Sequence, residues 1–283
     1  MTAETHRYVK RGFVHSPHGN IEYRESGDGP AVLFIHGTPQ SSAQMVGVFR
    51  NLQDGYRCVA MSTMGYGDSD RPPEPYTTMH EYAQAAVWVL DGLSIEKTVV
   101  MGTHTGAGIA LCLAADWPER VSAAILEEPF NWSTPARLRA MASAHTPIAE
   151  RGDGGHLVEI WDRVRGAGAR TDPDEIRRAV IDHLTVDAAE GPAVYEGMGW
   201  HGAAAWAMCQ FDSWEAAERI QAPTLVIHGA NSDLGRSHQR FLDLIPDAVG
   251  LRPPAPNQWS WHIDLPMWSQ EVKAFLHGAG VTS

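Results

Sequence analysis

Short continuous apolar runs alternate along this chain with segments of helical spacing. Phe13 to Glu22 alternates apolar and polar residues, as a half-buried strand does, and Gly27 to Pro30 makes a turn. AVLFIHG (Ala31–Gly37) is apolar throughout and ends in glycine, the pattern of a strand buried on both faces. Ser41 to Leu52 carries a Ser cap and helical spacing, and RCVAMSTMG (Arg57–Gly65) reads as another buried strand. Thr77 to Leu93 is predicted helical, with Met79, Tyr82, Ala86, Val89 and Leu90 on one face. TVVMG (Thr98–Gly102), a small-residue helix at Ala107–Trp117 and the strand VSAAILEEPF (Val121–Phe130) continue the alternation. That rhythm predicts an α/β fold: a mostly parallel, doubly wound sheet with helices on both faces.

The rhythm stops after Pro129. From Asn131 to about Ile220 no buried-strand run occurs, only helical pieces such as His156–Arg165 and Asp174–Leu184, broken by glycines at Gly166–Gly168 and Gly197–Gly202. It resumes with PTLVIHG (Pro223–Gly229), a helix at Ser237–Leu244, a strand near Val249–Leu251 and a closing helix at Met267–His277. The chain therefore divides into a core, residues 1–130 and 221–283, and a helical cap, 131–220, inserted after the sixth strand.

Composition narrows the functional classes. In 283 residues, 43% are hydrophobic, enough for a full core, yet no apolar run reaches the roughly 18 residues of a membrane span. The polar opening MTAETHRYVKR has no apolar core of a secretory signal, so a cytoplasmic protein is expected. A net charge of -12 with no basic run repels phosphate backbones and argues against nucleic acid. Cys58, Cys112 and Cys209 show neither CxxC nor zinc spacing and read as reduced buried thiols. The expected partner is a small-molecule substrate, with the chain a monomer or homodimer.

Five motifs then arrive in order: HGTP (His36–Pro39), GYGDSDRP (Gly65–Pro72), GTHTG (Gly102–Gly106), HGANSD (His228–Asp233) and WHIDLP (Trp261–Pro266). HGTP follows a buried strand, so its backbone N–H groups are free at the carboxyl edge of the sheet, where open α/β folds bind ligands. The glycines of GTHTG allow a sharp strand-to-helix turn that projects its central side chain. In this order, with a cap between, the motifs resemble those of the α/β-hydrolase superfamily over nearly the whole chain. The resemblance implies that Thr38 and Thr105 supply oxyanion N–H donors. It also implies that His262, in the last loop, is a base oriented by Asp233.

The centre of the elbow departs from that pattern. Where the family places Ser, Cys or Asp, this chain has His104, and neither Thr103 nor Thr105 is placed to substitute. Three roles are open to His104: nucleophile, hydrogen-bond donor or proton carrier; wall of a pocket whose chemistry belongs to His262; or remnant of a disabled site. A His262–Asp233 pair can activate water or remove a substrate proton without any serine. Glu127 and Glu128, at the end of the sixth strand, offer an alternative carboxylate, with a solvated strand end expected for at least one. His104, His262 and Asp233 also match a two-histidine, one-carboxylate iron set, but they come from three separate loops. Neither metal nor cofactor is expected. His36 and His228 sit beside strand ends and read chiefly as loop supports, with His36 also a weak candidate for substrate contact.

The cap stretch MGWHGAAAWAM (Met198–Met208) and Trp132 supply an aromatic roof: Trp132, Trp200, His201 and Trp206 are candidate substrate contacts. The combined expectation is a cofactor-free hydrolase for a small, ring-containing molecule with a carbonyl-like centre. The alternatives are a lyase working by proton transfer and a ligand-binding protein with its catalytic centre disabled.

Overall fold

The computed structural model describes residues 8–133, 140, 142–166, 172–187, 191–254 and 264–282. Eight strands form one sheet: β1 (Lys10–Ser16), β2 (Gly19–Ser26), β3 (Ala31–Ile35), β4 (Arg57–Met61), β5 (Thr98–Thr103), β6 (Val121–Glu127), β7 (Thr224–Ile227) and β8 (Ala248–Leu251). Their order is β1-β2-β4-β3-β5-β6-β7-β8. From β4 to β8 all neighbours are parallel, whereas β1–β2 and β2–β4 pair antiparallel. The alternating segment Phe13 to Glu22 spans a hairpin of β1 and β2. The chain reverses between Ser16 and Gly19, whose φ of 123° suits glycine.

Successive side chains of the central strands enter two separate cores. Leu33, Ile35, Val59, Met61 and Val100 pack under α2 (Met79–Gly92) and α3 (Thr105–Asp116). Val32, Phe34, Cys58, Ala60, Val99 and Met101 pack instead under α1 (Ser42–Leu52) and the closing helix, Leu265–Gly278. That division is the period-2 alternation of a strand buried on both faces, and it makes the sheet doubly wound. Sequence signals set the helix starts. Ser41 caps α1, and Thr78 with Glu81 forms a reciprocal capping box on α2.

Between β6 and β7 the described residues hold α4 (Gly155–Gly166), α5 (Pro173–Asp187), α6 (Ala203–Cys209) and α7 (Ser213–Glu218), and no strand. Beyond β7 come α8 (His238–Leu244) and the closing helix, α9. Helices α6 and α7 are too short to show a period, and their alanine-rich sequences carry no amphipathic stripe. Residues Ile148, Ile160, Val164, Ile176 and Ala179 form a small core of their own under α4 and α5. Among the described residues no helix is long and apolar enough to cross a membrane.

Candidate active site

His104 stands at the turn from β5 into α3 with φ 58° and ψ -118°, a conformation rare for a non-glycine residue. Its N–H donates to the Glu127 carbonyl at 2.9 Å, which ties the turn to the end of β6. The glycines on either side are needed for contact rather than for dihedral freedom. A Cβ at Gly102 would lie 2.1 Å from the Gly106 carbonyl oxygen, and one at Gly106 would lie 2.3 Å from that of Ile35. Thr103 and Thr105 are buried at 0% and 1% exposure while His104 is only partly covered, so the turn presents its middle side chain alone. The imidazole meets the Phe130 ring edge-on at 5.0 Å.

The HGTP loop lies against this turn, with Gly37 so close that a Cβ there would sit 3.3 Å from the Cβ of His104. His36 is 2% exposed and its Nε2 accepts the Thr63 N–H at 3.0 Å, leaving Nδ1–H to donate to the Gly37 carbonyl at 3.2 Å. Burial holds its pKa down at about 4, so it stands as a neutral imidazole bracing the loop. The Thr38 N–H donates to Thr105 Oγ1 at 2.8 Å, and the Thr105 hydroxyl donates in turn to Thr38 Oγ1 at 2.9 Å. The Thr105 N–H opens α3, where the first N–H groups have no partner within the helix.

The carboxylates near the sheet edge differ sharply in burial. The Asp233 side chain is 92% exposed and meets the exposed Arg236 at 3.3 Å. Glu127 and Glu128 are both 0% exposed, so neither is a solvated strand end: the loop after β7 closes over them. Glu128, at φ 53°, accepts the Gly229 N–H at 2.7 Å and the Ser232 hydroxyl at 2.5 Å. Burial raises its pKa to about 7, against the lowering pull of Ser232, Gly229 and Arg252. Beside it, buried His228 lies 2.9 Å from the Pro129 carbonyl through Nε2 and 3.0 Å from His238 Nδ1 through its own Nδ1. Nε2–H therefore donates to Pro129, and His238 donates to His228, an arrangement that supports the loop as expected. His262, with Trp259 and Trp261, lies outside the described residues.

Of the aromatic candidates, Trp132 packs on Phe130 at 4.7 Å and thereby joins the wall next to His104. Trp200 is 8% exposed, wedged between Gly65 and the Arg71 guanidinium, which sits 5.2 Å over its ring. It packs the helical segment onto the core. Trp206 lies 6.1 Å from Tyr195, its indole N–H buried without an acceptor among the described residues. His201 is buried and its Nδ1 is 2.7 Å from Asp187 Oδ1. Around it stand the rings of His183 at 4.9 Å and His145 at 5.4 Å. Burial first, then the imidazoles of His201, His104 and His183, push the His145 pKa down.

Residues 30–156 match the family profile described as alpha/beta hydrolase fold. Two solved structures superpose over nearly the whole chain. For E-2-(acetamidomethylene)succinate hydrolase the TM-score is 0.75 at 20% identity, covering 95% of this chain and 100% of that one. For the enol-lactonase of Burkholderia xenovorans LB400 it is 0.76 at 18%, covering 94% and 100%. This chain has the α/β-hydrolase fold. The haloalkane dehalogenase 2 of Mycobacterium tuberculosis is 32% identical over 126 residues, 44% of this chain and 43% of that protein. The chain thus matches less than half the length of that curated relative. Within the α/β-hydrolase fold, the structure brings His104, Thr38, Thr105, Phe130 and Trp132 together at the carboxyl edge of β5 and β6. Sequence reasoning weighed Glu128 only as an alternative. Its signal was present in the LEEPF run, but two adjacent acids at a strand end look like a solvated terminus until the next strand covers them.

Proposed function

We propose that this protein is a hydrolase for a small organic substrate with a carbonyl-like centre, worked at the elbow by His104 beneath a cap formed by the helices between β6 and β7. The observation that carries this reading is the partly exposed imidazole at the head of α3, in a turn whose other side chains are all buried. The helix N-terminus beneath it favours negative charge developing on a substrate oxygen. Support for hydrolysis also comes from the proteins this chain resembles, which carry the names hydrolase, enol-lactonase and haloalkane dehalogenase.

In this reading His262 is the general base, and Glu128 replaces Asp233 as the carboxylate that orients it. A carboxylate 92% open to water has no means of fixing an imidazole, whereas Glu128 is held by two hydrogen bonds. Water loses its proton to the His262 imidazole as its oxygen bonds to the substrate carbon. The charge on the substrate oxygen is received by the N–H groups of Thr38 and Thr105, and the imidazolium returns the proton to the leaving group. For Thr38 this requires the Thr105 hydroxyl to swing aside, since that hydroxyl now takes the N–H. His104 donates a hydrogen bond to the substrate beside Phe130 and Trp132.

The test is turnover of a panel of short-chain nitrophenyl esters in water enriched in heavy oxygen. Hydrolysis predicts one labelled oxygen in the acid product. Substrate loss without label would assign a lyase, and tight binding without turnover would assign a receptor.

A further inference from the structure

The helical segment between β6 and β7 contains a second cluster of chemistry-bearing side chains that the proposed reaction does not use. His183 and Asp187 lie one turn apart on α5, so they share a helix face, and that face is turned inward: both are buried. His201 comes from the turn before α6 and closes on Asp187 at 2.7 Å. One possible ligand atom from each of His183, Asp187 and His201 falls within 4.8 Å of the others. His145, from a third piece of chain, places its ring 5.4 Å from that of His201, and its Nδ1 is buried with no hydrogen-bond partner among the described residues. The remaining carboxylate oxygen of Asp187 accepts the Ile148 N–H at 3.2 Å, which anchors the carboxylate from behind.

We propose that His145, His183, Asp187 and His201 form a binding site for a divalent first-row transition ion of the Zn²⁺ class, which staples the helical segment together. The buried imidazoles of His183 and His201 and the buried Asp187 carboxylate beside Ile148, with the buried Nδ1 of His145, are costly unless their polar atoms are satisfied. Hydrogen bonds satisfy Asp187 and one nitrogen of His201, but not Nδ1 of His145. An ion at the centre completes the set. The donors decide its class: imidazole with a single carboxylate suits zinc, iron or nickel, whereas calcium and magnesium require oxygen ligands. Four protein ligands make a closed tetrahedral site, the structural kind. Ligand bonds of about 2.0–2.2 Å would draw together the atoms of His183, Asp187 and His201, which now lie within 4.8 Å of one another, with His145 closing in from beside His201. The site joins the chain before α4, helix α5 and the turn before α6, and a small apolar core links the first two of these. It uses none of His104, His262 and Asp233, and it departs from the expectation of a metal-free protein. It does not rest on the proposed hydrolysis.

A second cluster, His80, Cys112 and Asp116, supplies the control. Its carboxylate is already engaged by Arg219 and His80, and burial raises the Cys112 thiol well above its ordinary pKa, so it is a poor ligand set.

The experiment is titration of tag-free, chelator-dialysed full-length protein with Co²⁺ and with Zn²⁺. We expect about one equivalent of Co²⁺ bound at micromolar concentration, with visible d–d bands of a four-coordinate ion and no sulfur-to-cobalt charge-transfer band in the ultraviolet. Zn²⁺ should displace the cobalt and raise the melting temperature by about 5 °C. His183→Gln and His145→Gln, checked by circular dichroism, should each bind at least about 100-fold more weakly, while H80Q binds as the parent does. Absence of stoichiometric uptake by the parent protein overturns the proposal whether or not the variants fold. So does a thiolate band, or uptake that survives His183→Gln and His145→Gln.

Discussion

In the proposed reaction one side chain at the elbow, His104, sets the chemistry. A His104→Ser protein would place a hydroxyl at the same φ of 58°, above the same helix N-terminus. It is expected to gain labelling by a fluorophosphonate and cleavage of simple nitrophenyl esters, both read by mass spectrometry and absorbance. No labelling of a folded His104→Ser protein would mean that His262 does not reach the elbow. The carboxylates give a paired comparison. Glu128→Gln should lower kcat about 10²–10⁴-fold, the size of a lost orienting carboxylate, while Asp233→Asn stays within about twofold of the parent. The reverse ranking would return the role to Asp233. His104, the glycine turn and the HGTP loop were legible in the sequence because each depends on neighbours in the chain. Glu128 and the pairing within the buried His183–Asp187–His201 group were not, since Glu128 is held by Gly229, 101 residues on, and Asp187 meets His201, 14 residues on.

The elements owe their positions to close backbone crossings. Gly106→Ala would drive a Cβ to 2.3 Å from the Ile35 carbonyl, a backbone atom that has nowhere to go. Loss of about 3 kcal/mol or more, or insoluble expression, is expected. Gly108→Ala meets Met208 Sδ at the same nominal 2.3 Å, but a thioether can swing away, and alanine favours the helix. Its stability in urea should lie within about 1 kcal/mol of the parent. If the two variants behave alike, the elbow crossing is not the constraint described above. Long elements with strong periods, such as α2 and α5, were readable within a few residues of their ends. The hairpin turn is masked in the sequence because alternation runs through Phe13 to Glu22 while the turn itself takes only two residues, Pro17 and His18.

Across the whole molecule, buried titratable groups set how stability follows pH. His36 and His228 stay neutral in the folded state down to about pH 4 and about pH 3, both through burial. In the unfolded chain they take up protons near pH 6.5, so stability is lost as pH falls below that value. Glu128 acts in the opposite direction. Its pKa of about 7 against 4.5 means that stability falls by roughly 3 kcal/mol as pH rises between those values. Two histidines outweigh one glutamate, so urea midpoints should decline from pH 6.5 toward pH 4. Glu128→Gln should steepen that decline by removing the opposing group; a flatter profile in the variant would contradict this assignment. The account as a whole rests on the elbow imidazole taking part in the reaction. Its most direct test is the steady-state kinetics of His104→Ala beside the parent on one nitrophenyl ester that the parent hydrolyses. The expected result is a folded protein whose kcat is about 10²–10⁴-fold lower with KM within about threefold. A kcat equal to the parent's would reduce His104 to a pocket wall and contradict the account.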